Sequence, residues 1–199
     1  MTIWFTSDTH FSHTNIIRYC DRPFRDTDHM NEVIIANWNS VVSPEDTVFH
    51  LGDVALGNID KSLACVSRLN GYKILVVGNH DRPFMSMNKS DKYLYWMARY
   101  GEVFDEVWDW RERRAVLLNG QEFVVSHFPY TGDHTPTDRH ADARPVDDGI
   151  TPLIHGHTHI RDQHRTVSEH GTPQIHVGVD AHNFYPVSEE WILKTLLEA

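Results

Sequence analysis

Apolar positions along this chain fall into short runs, and the residues that close those runs are of a few polar kinds. The clearest is Lys73-Ile74-Leu75-Val76-Val77, which turns abruptly into Gly78-Asn79-His80-Asp81. A short apolar run bounded by a turn signal predicts a buried parallel strand, and open α/β sheets place their ligands at the carboxyl ends of such strands. Four more runs repeat the event. Thr2-Ile3-Trp4-Phe5-Thr6 leads into Asp8 and His10, and Thr47-Val48-Phe49-His50-Leu51 leads into Gly52-Asp53. Phe123-Val124-Val125-Ser126 leads into His127, and Pro152-Leu153-Ile154 leads into His155-Gly156-His157-Thr158-His159.

Helical periodicity fills the gaps between the early runs. A short helix is predicted over residues 11–18, interrupted by Asp21-Arg22-Pro23-Phe24. Met30, Val33, Ile34, Trp38 and Val41 fit one face of an amphipathic helix over residues 28–42. Leu63, Val66 and Leu69 mark another, stopped by Asn70-Gly71. This β–α–β–α–β opening favours parallel strands. A helix over residues 91–100 carries Tyr93, Leu94, Trp96, Met97 and Tyr100 as a core-facing stripe. Beyond it, residues 107–118 and 121–126 flank Asn119-Gly120, a strong hairpin signal, so the second half reads as mostly antiparallel. A strand over residues 174–179 and a closing helix over residues 189–197, capped by Ser188, complete the set. Residues 130–149 hold Gly132, Pro136, Pro145 and Gly149 among many charges, with little to bury. A loop this long is usually functional or disordered. Leaving His127 and returning before His157, it reads as a lid or substrate-facing loop.

Composition narrows the class. At 199 residues, with 40% hydrophobic and 11% aromatic content, the chain fits one domain with a real core. No run approaches the roughly 20 apolar residues of a membrane span, and the first residues form a strand rather than a signal segment. The only two cysteines, Cys20 and Cys65, read as packing residues of a protein in a reducing, cytoplasmic setting. A net charge of −10 argues against a broad basic surface for duplex nucleic acid. The unusual count is histidine, 15 residues, several of them at the strand ends.

Asp8, Asp53 and the histidines offer oxygen and nitrogen donors without thiolate, a mixture suited to Mn, Fe, Zn, Co or Ni. Asp8-x-His10 and His157-x-His159 can each turn two side chains to one side of an extended segment. Such a donor set exceeds what one ion takes, so two ions sharing Asp53, alone on its turn behind a glycine, account for it better.

Together, Asp8-x-His10, Gly52-Asp53, Gly78-Asn79-His80-Asp81, His127 and Gly156-His157-x-His159 resemble the calcineurin-like metallophosphoesterase superfamily. The stretch from Asp8 to Ile17 also resembles a compact phage and bacterial subgroup of phosphodiesterases acting on cyclic nucleotides or small model diesters. The resemblance implies an α/β (α+β) fold, a four-layer αββα sandwich of mixed sheets flanked by helices. It puts Asp8, His10, Asp53 and His159 on one metal, and Asp53, Asn79, His127 and His157 on the other, with manganese favoured. His80 then acts as an acid or transition-state donor, with Asp81 orienting its imidazole. His13, His176 and His182 fall outside the ligand set, the last two read as structural or as orienting partners.

The implied reaction is hydrolysis of a small phosphodiester, a cyclic nucleotide or similar molecule. Two cations roughly 3.5–4 Å apart would bind its oxygens and lower the pKa of a water. A nuclease of the same chemistry is the first alternative. It would need a basic groove, for which Arg22, Arg25, Arg82, Arg139 and Arg144 are candidates, although isolated arginines read better as solvated surface. The second alternative is a protein-binding scaffold without catalysis. That class would show substituted ligands, and here every motif residue is intact.

Overall fold

The computed structural model describes residues 1–133, 135 and 137–198. In chain order its elements are β1 (Ile3–Thr6), α1 (Thr14–Tyr19), α2 (Thr27–Val41), β2 (Thr47–His50), α3 (Ile59–Val66) and β3 (Tyr72–Val76). There follow α4 (Arg82–Met85), α5 (Ser90–Tyr100), β4 (Glu106–Trp108), β5 (Arg114–Leu118), β6 (Gln121–Val125) and β7 (Leu153–His155). The last are β8 (Arg165–Val167), β9 (Pro173–His176), β10 (Val187–Ser188) and α6 (Glu189–Leu197).

Two five-stranded sheets form the frame. The first has the order β10-β1-β2-β3-β4, the second β5-β6-β7-β9-β8. β1 to β4 run parallel, with β10 antiparallel at the edge. Alternation along β3 shows why these runs are continuously apolar. Ile74 and Val76 face the second sheet, whereas Leu75 and Val77 face the helices. A strand buried on both faces has no polar side to show. The inter-sheet layer joins Phe5, Phe49 and Ile74 to Phe123, Ile154 and Ile175, with Phe5 and Phe49 stacked at 5.3 Å. The helix layer sets Met30, Ile34 and Trp38 of α2 and Leu63 and Val66 of α3 against Val48 and Leu75. α6 packs across β1, β9 and β10. Over the outer face of the second sheet, Tyr130 covers Val124 and Leu153. The fold is thus a mixed α/β arrangement of two mixed sheets flanked by helices, as the resemblance implies.

Several local expectations change. Residues 107–118 are not one strand: β4 completes the first sheet and β5 opens the second. Asp109 makes the break, accepting from the Arg111 amide at 2.8 Å and from the Tyr93 hydroxyl at 2.5 Å. The predicted hairpin itself is present, pairing Leu118 with Gln121. The second sheet is not mostly antiparallel, because the long connections bring β6, β7 and β9 into parallel register, leaving β5 and β8 antiparallel at its edges. α1 starts at Thr14, since Phe11 bridges to Ala55 instead. α3 starts earlier than the periodicity suggests, where the Asn58 side chain accepts from the Lys61 amide. Ser188 caps α6 as predicted, accepting from Trp191. On α5 the stripe is only partly buried: Tyr100 is enclosed and Tyr93, Trp96 and Met97 pack against the core, whereas Leu94 is exposed. Pro136 of the predicted lid lies outside the described residues.

Phe123 lies fully buried between the sheets, whereas Leu94 is 64% exposed. Phe123→Ala should cost roughly 3–5 kcal/mol of unfolding free energy, and Leu94→Ala should stay within about 0.5 kcal/mol. Urea unfolding of the two variants checks this, and equal losses would refute the layer assignment.

Candidate metal centre

Within each sheet the parallel strands end on the same side, so five chain segments converge there. The turns they make are strained. Asp8, His10, Asp53, His157 and His159 all adopt left-handed backbone, with φ of 60°, 50°, 57°, 72° and 52°. Such conformations cost about 1–3 kcal/mol each for non-glycine residues and cluster where the surroundings hold them in place. Here backbone bonds knit the first two turns together. Asp8 N donates to Gly52 O at 2.9 Å, His10 N to Asp53 O at 3.0 Å, and Phe11 N to Val54 O at 2.8 Å.

The second and third turns meet with no room between them. A Cβ on Gly52 would lie 2.6 Å from Gly78 Cα, and one on Gly78 would collide with the Asp53 carboxylate. The buried Asp81 carboxylate closes this junction. It accepts from Asp53 N at 3.0 Å, Val54 N at 3.0 Å and Gly78 N at 2.8 Å. Burial and the neighbouring Asp53 push its pKa up, against the pull of those amides. The structure therefore gives Asp81 another task than orienting His80: it ties two turns together. His80 is placed by its own amide, which donates to Asp53 Oδ1 at 2.8 Å, and its ring stands edge-on to His10 at 5.5 Å.

The donor atoms of the converging turns lie close together. Asp53 Oδ2 lies 3.7 Å from His10 Nε2 and 3.4 Å from His127 Nε2. Asp8 Oδ1 lies 3.6 Å from His159 Nε2. Asn79 Oδ1 lies 3.0 Å from both His127 Nε2 and His157 Nδ1. Among the described residues, Asp8, His10 and His159 form one group able to hold an ion, Asp8, Asp53 and His127 another, and Cys20, His159 and Asp180 a third. Ligand bonds of about 2.1 Å separate neighbouring donors by about 3–3.5 Å, close to these spacings. Both ring nitrogens of the buried His10 lack a hydrogen-bond partner, an unusual cost for a buried polar group unless an ion meets it. Burial, then His159, lowers the His10 pKa, and burial, then His127, lowers that of His157 to about 2. Both rings are neutral and keep a lone pair to give. For His159 burial is outweighed by Asp8 and Asp180, which favour positive charge at its ring. The donor set fits divalent cations.

Of the donors, His10, Asp53, His157 and His159 line a cleft of about 800 Å³, beside Ile16, Leu56, Ile160 and Arg139 among others. His13 also lines it, with burial, then His80, lowering its pKa to about 4. His182 Nε2 meets the His176 carbonyl at 2.9 Å, and the buried His176 ring packs against Gly178 behind the site. Two residues that the sequence reading passed over reach the donors, together with Arg22, which it considered only for a basic groove. Asp133, inside the long loop, is 3.2 Å from His157 Nε2. Asp180 is 2.8 Å from His159 Nδ1, and Arg22 is bonded to Asp180.

The five arginines considered for a basic groove do not form one. Arg22 is buried, not solvated. Arg139 and Arg144 are paired with Asp133 at 3.1 and 3.6 Å. Arg82 lies over the Trp96 ring and Arg25 bonds Asp26.

Comparisons with known proteins agree with this geometry. A family model described as the calcineurin-like phosphoesterase superfamily domain matches residues 1–178. The Gene 66 protein of Mycobacterium phage L5 is 39% identical over 194 residues, spanning 89% of this chain and 86% of that protein. An uncharacterised protein of Methanocaldococcus jannaschii is 33% identical over 201 residues, spanning 98% of this chain and 90% of its own. The crystal structure of a protein of unknown function from Aquifex aeolicus aligns with a TM-score of 0.70 at 30% identity, covering 98% of both chains.

Asp81→Asn turns an amide donor toward backbone N–H groups that now find a carboxylate. Each buried donor left unsatisfied costs about 1–3 kcal/mol. Chemical denaturation of the metal-free protein should show a loss in that range, and an unchanged midpoint would mean that Asp81 does not hold the turns.

Proposed function

The chain belongs to the calcineurin-like phosphoesterase superfamily, and from that premise we propose that it hydrolyses small phosphodiesters, cyclic nucleotides or similar molecules, with two divalent cations held around Asp53. The observation that carries the reading is the position of one oxygen, Asp53 Oδ2, between His10 Nε2 at 3.7 Å and His127 Nε2 at 3.4 Å. Asp8, His10, Asp53 and His159 hold one cation. Asp53, Asn79, His127 and His157 hold the other. Manganese is the favoured metal, given mixed carboxylate and imidazole donors without thiolate.

Bound there, the cations neutralise phosphate charge and bring the pKa of a water toward neutrality. The chain's own residues do the rest. Asp53 Oδ1 fixes the His80 backbone through its amide, setting the imidazole at the cleft wall. From there it donates a proton to the departing oxygen, a contribution of about 10²–10⁴-fold. Burial lowers the pKa of His10 and His157, and the histidines around Asp53, His127 foremost, lower that of its carboxyl against the effect of burial. A cleft of about 800 Å³ is in the range that encloses a nucleotide-sized ligand. The net charge of −10 disfavours a long polyanion as substrate. Two free cysteines suit a cytoplasmic setting, and no helix among the described residues is long and apolar enough to cross a membrane.

A panel of cyclic and linear phosphodiesters, assayed after chelation and after return of Mn, Zn, Ni or Mg, tests the proposal. Turnover should vanish with the metal and return best with Mn. Full turnover in the chelated protein would reject it. His80→Ala should lower kcat about 10²–10⁴-fold while metal content is kept, whereas Asp53→Ala should lose both metal and turnover.

A further inference from the structure

Asp21-Arg22-Pro23-Phe24 reads in the sequence as an interruption, yet its arginine is among the most enclosed polar groups of the protein. The Arg22 side chain has no solvent exposure, nor has that of Asp180. The guanidinium meets Asp180 through two bonds, Nε to Oδ1 and Nη2 to Oδ2, both 2.8 Å. Nη2 also donates to Asp8 O at 2.7 Å, and Nη1 donates to Thr9 O at 3.0 Å and Met30 Sδ at 3.5 Å. Asp180 Oδ2 also accepts from His159 Nδ1 at 2.8 Å. One fully buried ion pair therefore reaches both Asp8 and His159, residues far apart in the chain whose Oδ1 and Nε2 lie 3.6 Å from each other.

A buried ion pair is a poor way to stabilise a fold, since an apolar pair of similar volume often does as well or better. What this pair does supply is geometry. Two of its bonds hold the carbonyls of Asp8 and Thr9, between the left-handed residues Asp8 and His10. The carboxylate bond holds the His159 ring at Nδ1, which turns Nε2 toward Asp8. Arg22 fixes Asp180 in the plane that bond requires.

We propose that Arg22 and Asp180 are positioning residues for one cation only, the one held by Asp8, His10 and His159, and that they set its affinity without touching the other. The inference rests on the two-cation reading of the site. Among the described residues the pair's own bonds go to Asp8, Thr9, Met30 and His159, whereas the rings of His127 and His157 meet the Leu51 carbonyl, Asn79 and Asp133.

Calorimetric titration of the metal-free protein with Mn, beside its thermal unfolding, separates positioning from simple support. Wild type should bind two equivalents. Asp180→Asn should keep one affinity and weaken the other about 10–100-fold, the usual effect of losing a partner behind a metal-binding histidine. Because that variant strands a buried guanidinium, the double variant Arg22→Met with Asp180→Leu is the control. It should recover unfolding temperature relative to Asp180→Asn, yet remain weakened at one site. Two equivalents with wild-type affinities in the double variant would overturn the proposal, leaving the pair a support only. A wild type that takes up no Mn would overturn the two-cation reading and this inference with it.

Discussion

One buried carboxylate fixes the frame from which the whole site is measured. Asp81 accepts three backbone amides, two from the turn after β2 and one from the turn after β3. Without it, Asp53 would sit on a left-handed turn with nothing behind it. With it, Asp53 Oδ2 is set between His10 and His127 while Oδ1 takes the His80 amide. The close approach that allows this depends on Gly52 and Gly78, where neither turn could carry a Cβ.

The layers explain why such turns can be held at all. Parallel strands buried on both faces are rigid platforms, and their common direction puts five turns on one side. Each sheet contributes part of the donor set. Asp8, His10, Asp53 and Asn79 follow strands of the first, and His127, His157 and His159 follow strands of the second. The inter-sheet core of Phe5, Phe49, Phe123 and Ile154 therefore sets the separation of the two halves of the site. Carboxylates then back the paired histidines of the second sheet, Asp133 behind His157 and Asp180 behind His159. Asp133 ties the segment 130–149 to the floor of the cleft and is itself held by Arg139 and Arg144.

Much of this is legible in the sequence because apolar runs and the polar residues closing them are contiguous. Period, turn signals and residue type mark β1, β2, β3, β6 and β7, and with them Asp8, His10, Asp53, His127 and His159, which the structure brings close together. What fails is the part decided by distant partners. Arg22 and Asp180 meet across 158 positions, and nothing near either residue marks it as buried. Asp81 follows His80 in sequence, yet its carboxylate turns away to backbone amides. The strand predicted over residues 107–118 breaks at Asp109 because Tyr93, on a separate helix, helps to fix a turn there. Antiparallel order was suggested by a real hairpin, but the long connections after β6 and β7 decide the direction of the sheet's centre.

The central claim is that Asp53 is shared by two cations. Anomalous diffraction at the manganese edge, from crystals of the wild-type protein equilibrated with Mn, tests it most directly. The account predicts two peaks roughly 3.5–4 Å apart, one on each side of the Asp53 carboxylate. A single peak, or a pair that leaves Asp53 uncoordinated, would contradict it.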